Sequence, residues 1–149
     1  MEEIRERVKK IRVEPYGVTL HLFVCEDIRR SFERRNLPLL DADSGPDEST
    51  GALVWRRSNC SEVFAFLPED CSLGKTAHEM YHVVAHTLQF VGIKTNDEEV
   101  WAYPLGALTQ KAAEFVHAKD PNKYRGGKRC SKQEVASSIK MLDNLSNMV

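Results

Sequence analysis

Apolar and polar residues follow two different periods along the chain. In residues 13–25 the pattern has period two, which is typical of a strand with one buried face, and its apolar positions are Val18, Leu20, Leu22 and Val24. Two shorter runs, 52–56 and 63–67, also predict strands. The charged segments 2–9 and 28–35 predict short helices. The first half of the protein is therefore expected to form a small sheet of about three strands.

In the second half the period becomes helical. Residues 77–91 place apolar side chains along one side of a helix, and Glu79 is the only formally charged residue between Lys75 and Lys94. A surface helix carries charged residues opposite its apolar face, so this helix is predicted to be buried on most sides. Gly92 is a suitable residue to end it.

A further helix is predicted to begin after Thr95 or Asn96, with an acidic first turn and a kink at Pro104, and to end near residue 118. Residues 119–129 predict a loop. Beyond it, apolar residues recur at helical spacing and predict a C-terminal amphipathic helix: Val135, Ile139, Leu142 and Leu145. The pattern as a whole indicates the α+β class.

Length and composition are those of a single folded domain, with 149 residues, 42% hydrophobic and 29% charged. The net charge of −1 gives no general attraction to nucleic acid or membranes, and short basic clusters such as Arg56-Arg57 are interpreted as solvated surface. The start MEEIRERVKK is not a secretory signal, and no run has the length of a membrane helix. We expect a cytoplasmic protein. Its cysteines form no C-x-x-C pair and are expected to be free thiols: Cys25, Cys60, Cys71 and Cys130.

The strongest chemical signal is an H-E-x-x-H motif, which runs from His78 through Glu79 to His82. Histidines four residues apart share one face of a helix and can bind the same Zn²⁺ ion. His86 and Gln89 continue this polar stripe, with Glu79 at its edge. Buried polar groups need partners, and a metal would satisfy both imidazoles and the carboxylate together.

Three alternatives remain open for this motif. The histidines could be core residues bonded to backbone groups, although that leaves Glu79 unexplained. Thr76 and Glu79 could form a capping box at the helix start, unless the helix already begins at Ser72. The motif could also bind metal without catalysing a reaction.

A catalytic zinc usually takes three protein ligands and one water molecule. His86 lies ~12 Å from His78 along a straight helix and cannot reach the same ion, so it is interpreted as a supporting or structural residue. Glu98 and Glu99 begin the next helix, where acids also stabilise the helix dipole without any metal. If zinc lies at His78 and His82, a carboxylate from this helix is the expected third ligand.

The segments HEMYHVVAH and NDEEVWAY together resemble the gluzincin metallopeptidases, in particular the ImmA/IrrE group and the minimal zincins encoded by phages and prophages. The resemblance implies a zincin-like fold, in which a small sheet of about three strands packs on the motif helix and on an antiparallel second helix. The metal-site core would span about 62–118 of a single domain, 1–149, and the C-terminal loop and helix would follow in 119–149. Two departures are Val100-Trp101 in place of the usual Ala-Asn pair, and Pro104 within the second helix.

The same resemblance implies a zinc ion held by His78, His82 and Glu99, with Glu98 as the alternative to Glu99. Glu79 would be the general base that activates water for hydrolysis of a peptide bond. Strand 63–67 would pair with an extended substrate. An oxyanion donor is also implied, and the candidates by residue type are Tyr81, Tyr103, His117 and Tyr16.

The alternative function is a zinc-stabilised module that binds another protein, for instance a phage-type inhibitor or adaptor of a host protein. Its metal site would be closed by a fourth protein ligand, for which His86, Cys71 and Glu98 are candidates. A zinc-free helical core is a third possibility. A peptide or protein is thus the expected substrate of the peptidase or the expected partner of the interaction module.

Overall fold

In the part of the chain that the structure describes, four strands and three helices form a fold of the predicted α+β class. The structure is a computed structural model that describes residues 5–38, 45–57, 60–94 and 96–118. The elements are β1 (Glu6–Val13), β2 (Val18–Cys25), α1 (Ile28–Glu33), β3 (Leu53–Arg56), β4 (Glu62–Pro68), α2 (Leu73–Phe90) and α3 (Glu98–His117). All of them belong to one compact unit, Met1–His117. The loop and helix predicted for 119–149 lie outside the described residues.

The strands form one mixed sheet in the order β1-β2-β4-β3. β1 and β2 form an antiparallel hairpin, whose turn contains a cis peptide bond between Glu14 and Pro15 and a positive φ of 70° at Gly17. β4 lies parallel to β2 on one side and antiparallel to β3 on the other. Because both edges of β4 are paired, the prediction that this strand pairs with a substrate is wrong.

One face of the sheet packs against α2 and α3. The alternating residues of β2 point to this side and are fully buried, as predicted from their period: Val18, Leu20, Leu22 and Val24. Helix α2 contributes Met80, Val83, Val84 and Leu88, and α3 contributes Leu108, Ala112 and Val116. The opposite face is covered at one end by α1, where the Phe32 ring meets the Phe66 ring edge-on at 5.6 Å.

The prediction of a helix over residues 2–9 is wrong, because β1 occupies Glu6–Val13. The sheet consequently has four strands and not about three. β1 is an edge strand whose first half is largely exposed, so its sequence carries no apolar alternation. Arg7 instead joins β1 to the end of α3. Its guanidinium donates to the carbonyls of Phe115 and Val116 at 2.7 and 3.0 Å and lies over the Phe115 ring.

The ends of the two long helices are defined by local hydrogen bonds. Gly92 has a φ of 74° and donates to the Gln89 carbonyl, while Ile93 donates to the Leu88 carbonyl. This pair of bonds is the Schellman motif, and it confirms Gly92 as the residue that ends α2. At the start of α3 the side chain of Asp97 accepts from the Glu99 amide at 3.0 Å.

Asp97 is therefore the cap of α3, and the prediction of Asn96 was wrong, while Thr95 lies outside the described residues. The helix continues through Pro104, which is buried, to His117. Within the described residues, no helix combines the length and the hydropathy that a membrane crossing requires.

Candidate functional site

Helix α2 begins early enough to place the whole motif inside it. Ser72 is the N-cap, and its side chain accepts from the Lys75 amide at 3.2 Å. Thr76 lies within the first turns, where its hydroxyl is 2.9 Å from the Ser72 carbonyl. A capping box between Thr76 and Glu79 is therefore excluded, and the Glu79 side chain is not needed to close the helix end.

The two histidines of the motif converge on one point. The Nε2 atoms of His78 and His82 lie 3.2 Å apart, and their rings are nearly perpendicular, with centroids 4.8 Å apart. Two nitrogens that bind one tetrahedral zinc at about 2.05 Å are separated by roughly 3.3 Å. The pair is thus already spaced as two ligands of a single ion. His78 is exposed and His82 is half-buried, so solvent reaches the pair.

Glu79, unlike the two histidines, lies among the buried residues of α2. Only 8% of its surface is exposed, and the buried residues around it on the helix include Thr76, Met80 and Val83. Burial raises the pKa of the Cys71 thiol, and the negative charge of Glu79 raises it further, against the opposing effects of Thr76 and Lys75. The Glu79 carboxylate, next in sequence to His78, is thus nearly desolvated, and its role as general base stays a prediction.

The predicted third ligand occupies a different environment. Glu98 and Glu99 are both exposed in the first turn of α3, where their charge also favours the helix dipole. In the described part of the chain, no three His, Cys, Asp or Glu side chains are grouped closely enough to hold a metal ion. The structure thus brings His78 and His82 together, while Glu99 as third ligand stays a prediction.

Of the candidate oxyanion donors, Tyr81 lies next to the histidine pair. Its ring centroid is 6.0 Å from that of His82 and 5.4 Å from that of Trp101. Tyr103 is 74% exposed on α3, His117 ends that helix, and Tyr16 packs against the hydrophobic core. No ring contact joins these three residues to the histidine pair within the described residues.

His86 faces a separate cavity of about 240 Å³ beyond the histidine pair. Burial, together with the positive charges of Arg56 and His82, lowers the pKa of His86 to about 4. Arg56, which is half-buried, and Arg57, which is exposed as the sequence indicated, line the same cavity. The sequence showed these residues only as a basic pair at the end of a predicted strand. That they lie beside α2 depends on the order of strands in the sheet, which the sequence pattern does not give.

Cys60 and Cys71 have separate surroundings. Cys60 is half-buried in the wall of that cavity, whereas Cys71 is buried with its Sγ 3.4 Å from the Thr76 hydroxyl. Comparison of the chain with known protein families, with curated proteins and with solved structures gave no match.

Proposed function

We propose that the protein is a zinc-dependent hydrolase of peptide bonds, in which His78, His82 and Glu99 hold the ion. The observation that carries this proposal is the 3.2 Å separation of the two Nε2 atoms on a solvent-reached turn of α2. Neutral imidazoles at this spacing share one hydrogen bond at most, whereas a zinc ion uses both nitrogens.

Zinc, when bound, supplies Lewis-acid activation of water and of the substrate carbonyl. Glu79 takes the proton of the attacking water and returns it to the leaving amine, which is the role of a general base and then a general acid. Its position on the buried stripe limits competing water around the carboxylate. Tyr81 is the candidate donor to the carbonyl oxygen, since its ring contacts that of His82.

The edge of the sheet available to an extended substrate is that of β3 and not that of β4. β3 runs alongside α2. Gly51, two residues before the strand, lies so near α2 that an added Cβ would be 2.9 Å from the Lys75 ammonium, and Arg56 at the strand end donates to the Gln89 side chain. Within the described residues, the outer side of β3 has no partner strand. Strand addition at this edge would lay a peptide beside the helix that carries the histidine pair.

The proposal is tested by zinc titration and by proteolysis of an unfolded protein substrate, each with three single variants. Glu79→Gln should retain zinc and lose cleavage by at least about a hundredfold. Glu99→Gln should lower zinc affinity, and the neighbouring Glu98→Gln is its matched control. Retained cleavage in Glu79→Gln would overturn the general-base role.

Two other outcomes change the assignment in a defined way. If Glu98→Gln lowers the zinc affinity and Glu99→Gln does not, Glu98 is the ligand. Zinc binding without cleavage by the unmodified protein would support the zinc-stabilised interaction module instead. Absence of zinc binding in the purified protein would overturn both functions.

A further inference from the structure

A second polar site lies in the cavity at the C-terminal end of α2. Its cationic side is formed by Arg56, the last residue of β3, and by Arg57, which follows the strand. No acidic residue lines it among the described residues. Glu62 is close in sequence, but its side chain lies on the opposite face of the sheet, 3.0 Å from His21. Two permanent charges without a carboxylate partner favour an anion in this space.

The cavity also offers neutral hydrogen-bonding groups in fixed positions. The Gln89 side-chain oxygen accepts from Arg56, which orients the guanidinium and leaves the Gln89 amide nitrogen as a donor. His86 lies on the same side, one turn before Gln89, and is uncharged at neutral pH because of its lowered pKa. Its ring therefore contributes one N–H donor. These donors are built on α2 and β3, and not on a loop.

The other lining residues are Cys60 and three apolar ones, Val18, Val63 and Phe90. A volume of about 240 Å³ exceeds what a small inorganic anion fills. The combination of a cationic side with apolar groups opposite matches a carboxylate on a short hydrocarbon stem. Such a group is found in an acidic side chain or at the C-terminal residue of a peptide.

We propose that this cavity binds a carboxylate of a peptide, with Arg56 and Arg57 pairing with the anion and Val63 and Phe90 contacting its stem. Binding at this site does not require zinc at the histidine pair. Its consequence for specificity rests on the proposed function: His86 is one helical turn, ~6 Å, beyond His82, or about two residues of an extended peptide. Hydrolysis would then favour peptides with a carboxylate about two residues from the cleaved bond.

The test uses the full-length protein and acetylated tripeptides followed by NMR titration. The Glu-containing peptide Ac-Ala-Glu-Ala-NH₂ is compared with its Gln counterpart, which has the same shape and no charge. Ac-Ala-Gln-Ala-OH carries only a terminal carboxylate and separates the two sources of the anion. At least one carboxylate peptide should bind about tenfold more tightly than the uncharged one, since hydrogen bonds to a charged group are the strong ones.

Single substitutions test whether the tighter binding of carboxylate peptides depends on this cavity. Arg57→Gln should weaken the carboxylate peptide about tenfold, and Arg56→Gln should act in the same direction. Arg12→Gln, which removes the charge of an arginine whose side chain is 67% exposed on β1, should change binding less than twofold. Bound peptide should also slow alkylation of Cys60, measured by mass spectrometry of the digested protein.

Three results would overturn the proposal: equal binding of charged and uncharged peptides, equal effects of Arg57→Gln and Arg12→Gln, or tighter binding of inorganic phosphate than of every carboxylate peptide. The titrations are repeated with a chelator present. Carboxylate binding that persists with the chelator, together with absent hydrolysis by the zinc-loaded protein without it, would reject the proposed function and keep this site. Hydrolysis that does not distinguish carboxylate peptides from uncharged ones would keep the proposed function and reject this site.

Discussion

The ring of Tyr81 stacks on that of Trp101, with centroids 5.4 Å apart and an angle of 21° between the planes. This contact joins the motif turn of α2 to the first turns of α3. Trp101 follows Glu99 by two residues, so the same contact anchors the acidic start of α3 to α2. The Val100-Trp101 pair thus has a structural role, since both side chains also pack against the hydrophobic core.

We therefore expect Trp101→Ala to lower zinc affinity about tenfold, as is usual when a residue that orients a ligand is lost. Trp101→Phe should preserve most of the affinity because an aromatic ring remains. Competition with a chromophoric chelator measures both. Tyr103→Ala is the control, because that side chain is 74% exposed on the same helix. Equal affinities of Trp101→Ala and Tyr103→Ala would show that α3 contributes nothing to the ion.

The start of α2 allows a second prediction. Ser72→Ala removes the oxygen that accepts from the Lys75 amide and should lower the free energy of unfolding by about 1 kcal/mol. Ser61→Ala is a matched control, because Ser61 is exposed and its backbone carbonyl, not its side chain, accepts from Thr19. Urea unfolding measures the difference. Equal stability of the two variants would contradict Ser72 as the cap.

The histidine pair could be predicted because its geometry is local. Spacing of four residues on a helix fixes the relation of His78 to His82 whatever surrounds them. The position of Glu99 depends on how α3 packs, and that is a tertiary relation which the acidic pattern of its first turn does not encode. The same limit applies to the cavity, where Arg56 meets Gln89 across 33 residues of chain.

The strands also differ in how much of their structure the local sequence pattern indicates. β2 was predicted from its alternation because a continuous apolar face covers its length. β1 was missed because basic side chains cover part of the core there: the Arg7 guanidinium lies 4.8 Å and the Lys9 ammonium 5.8 Å from the centre of the Phe115 ring. Long basic side chains bury their stems while keeping a charged end, so hydropathy alone reads such a strand as polar.

Two glycines give opposite predictions for the same substitution. Gly92 has a φ of 74°, where a side chain is strained, so Gly92→Ala should destabilise the protein by about 1 kcal/mol. Gly106 lies inside α3, and a Cβ there would meet nothing within 4 Å. Gly106→Ala should therefore stabilise it by about 0.5–1 kcal/mol. Urea unfolding of both variants checks the signs: a stabilised Gly92→Ala would contradict the end of α2 at Gly92, and a destabilised Gly106→Ala would contradict the open space at Gly106.

The hydrogen bonds and ion pairs of the Glu6 carboxylate make an acid-sensitive contribution to stability. Burial by itself raises the pKa of this carboxyl, but hydrogen bonds from Ser31 and Arg35 and the charges of Arg35 and Arg34 outweigh it, and the pKa lies below its usual 4.5. The Ser31 hydroxyl donates at 2.7 Å, and Arg35 donates to the other oxygen. The unfolded chain therefore takes up a proton at higher pH than the folded one.

The contacts of Glu6 are consequently stabilising above pH 4.5, and their contribution is lost as the pH falls through the lowered folded-state pKa. Glu6→Gln should reduce the free energy of unfolding at pH 7 and flatten its decline between about pH 5 and 3. Glu14→Gln is the control, since the Glu14 side chain is 63% exposed in its pair with Arg12 and such pairs contribute little. Urea unfolding across this pH range decides the matter: parallel curves for the unmodified protein and Glu6→Gln would mean that the Glu6 cluster does not link folding to pH.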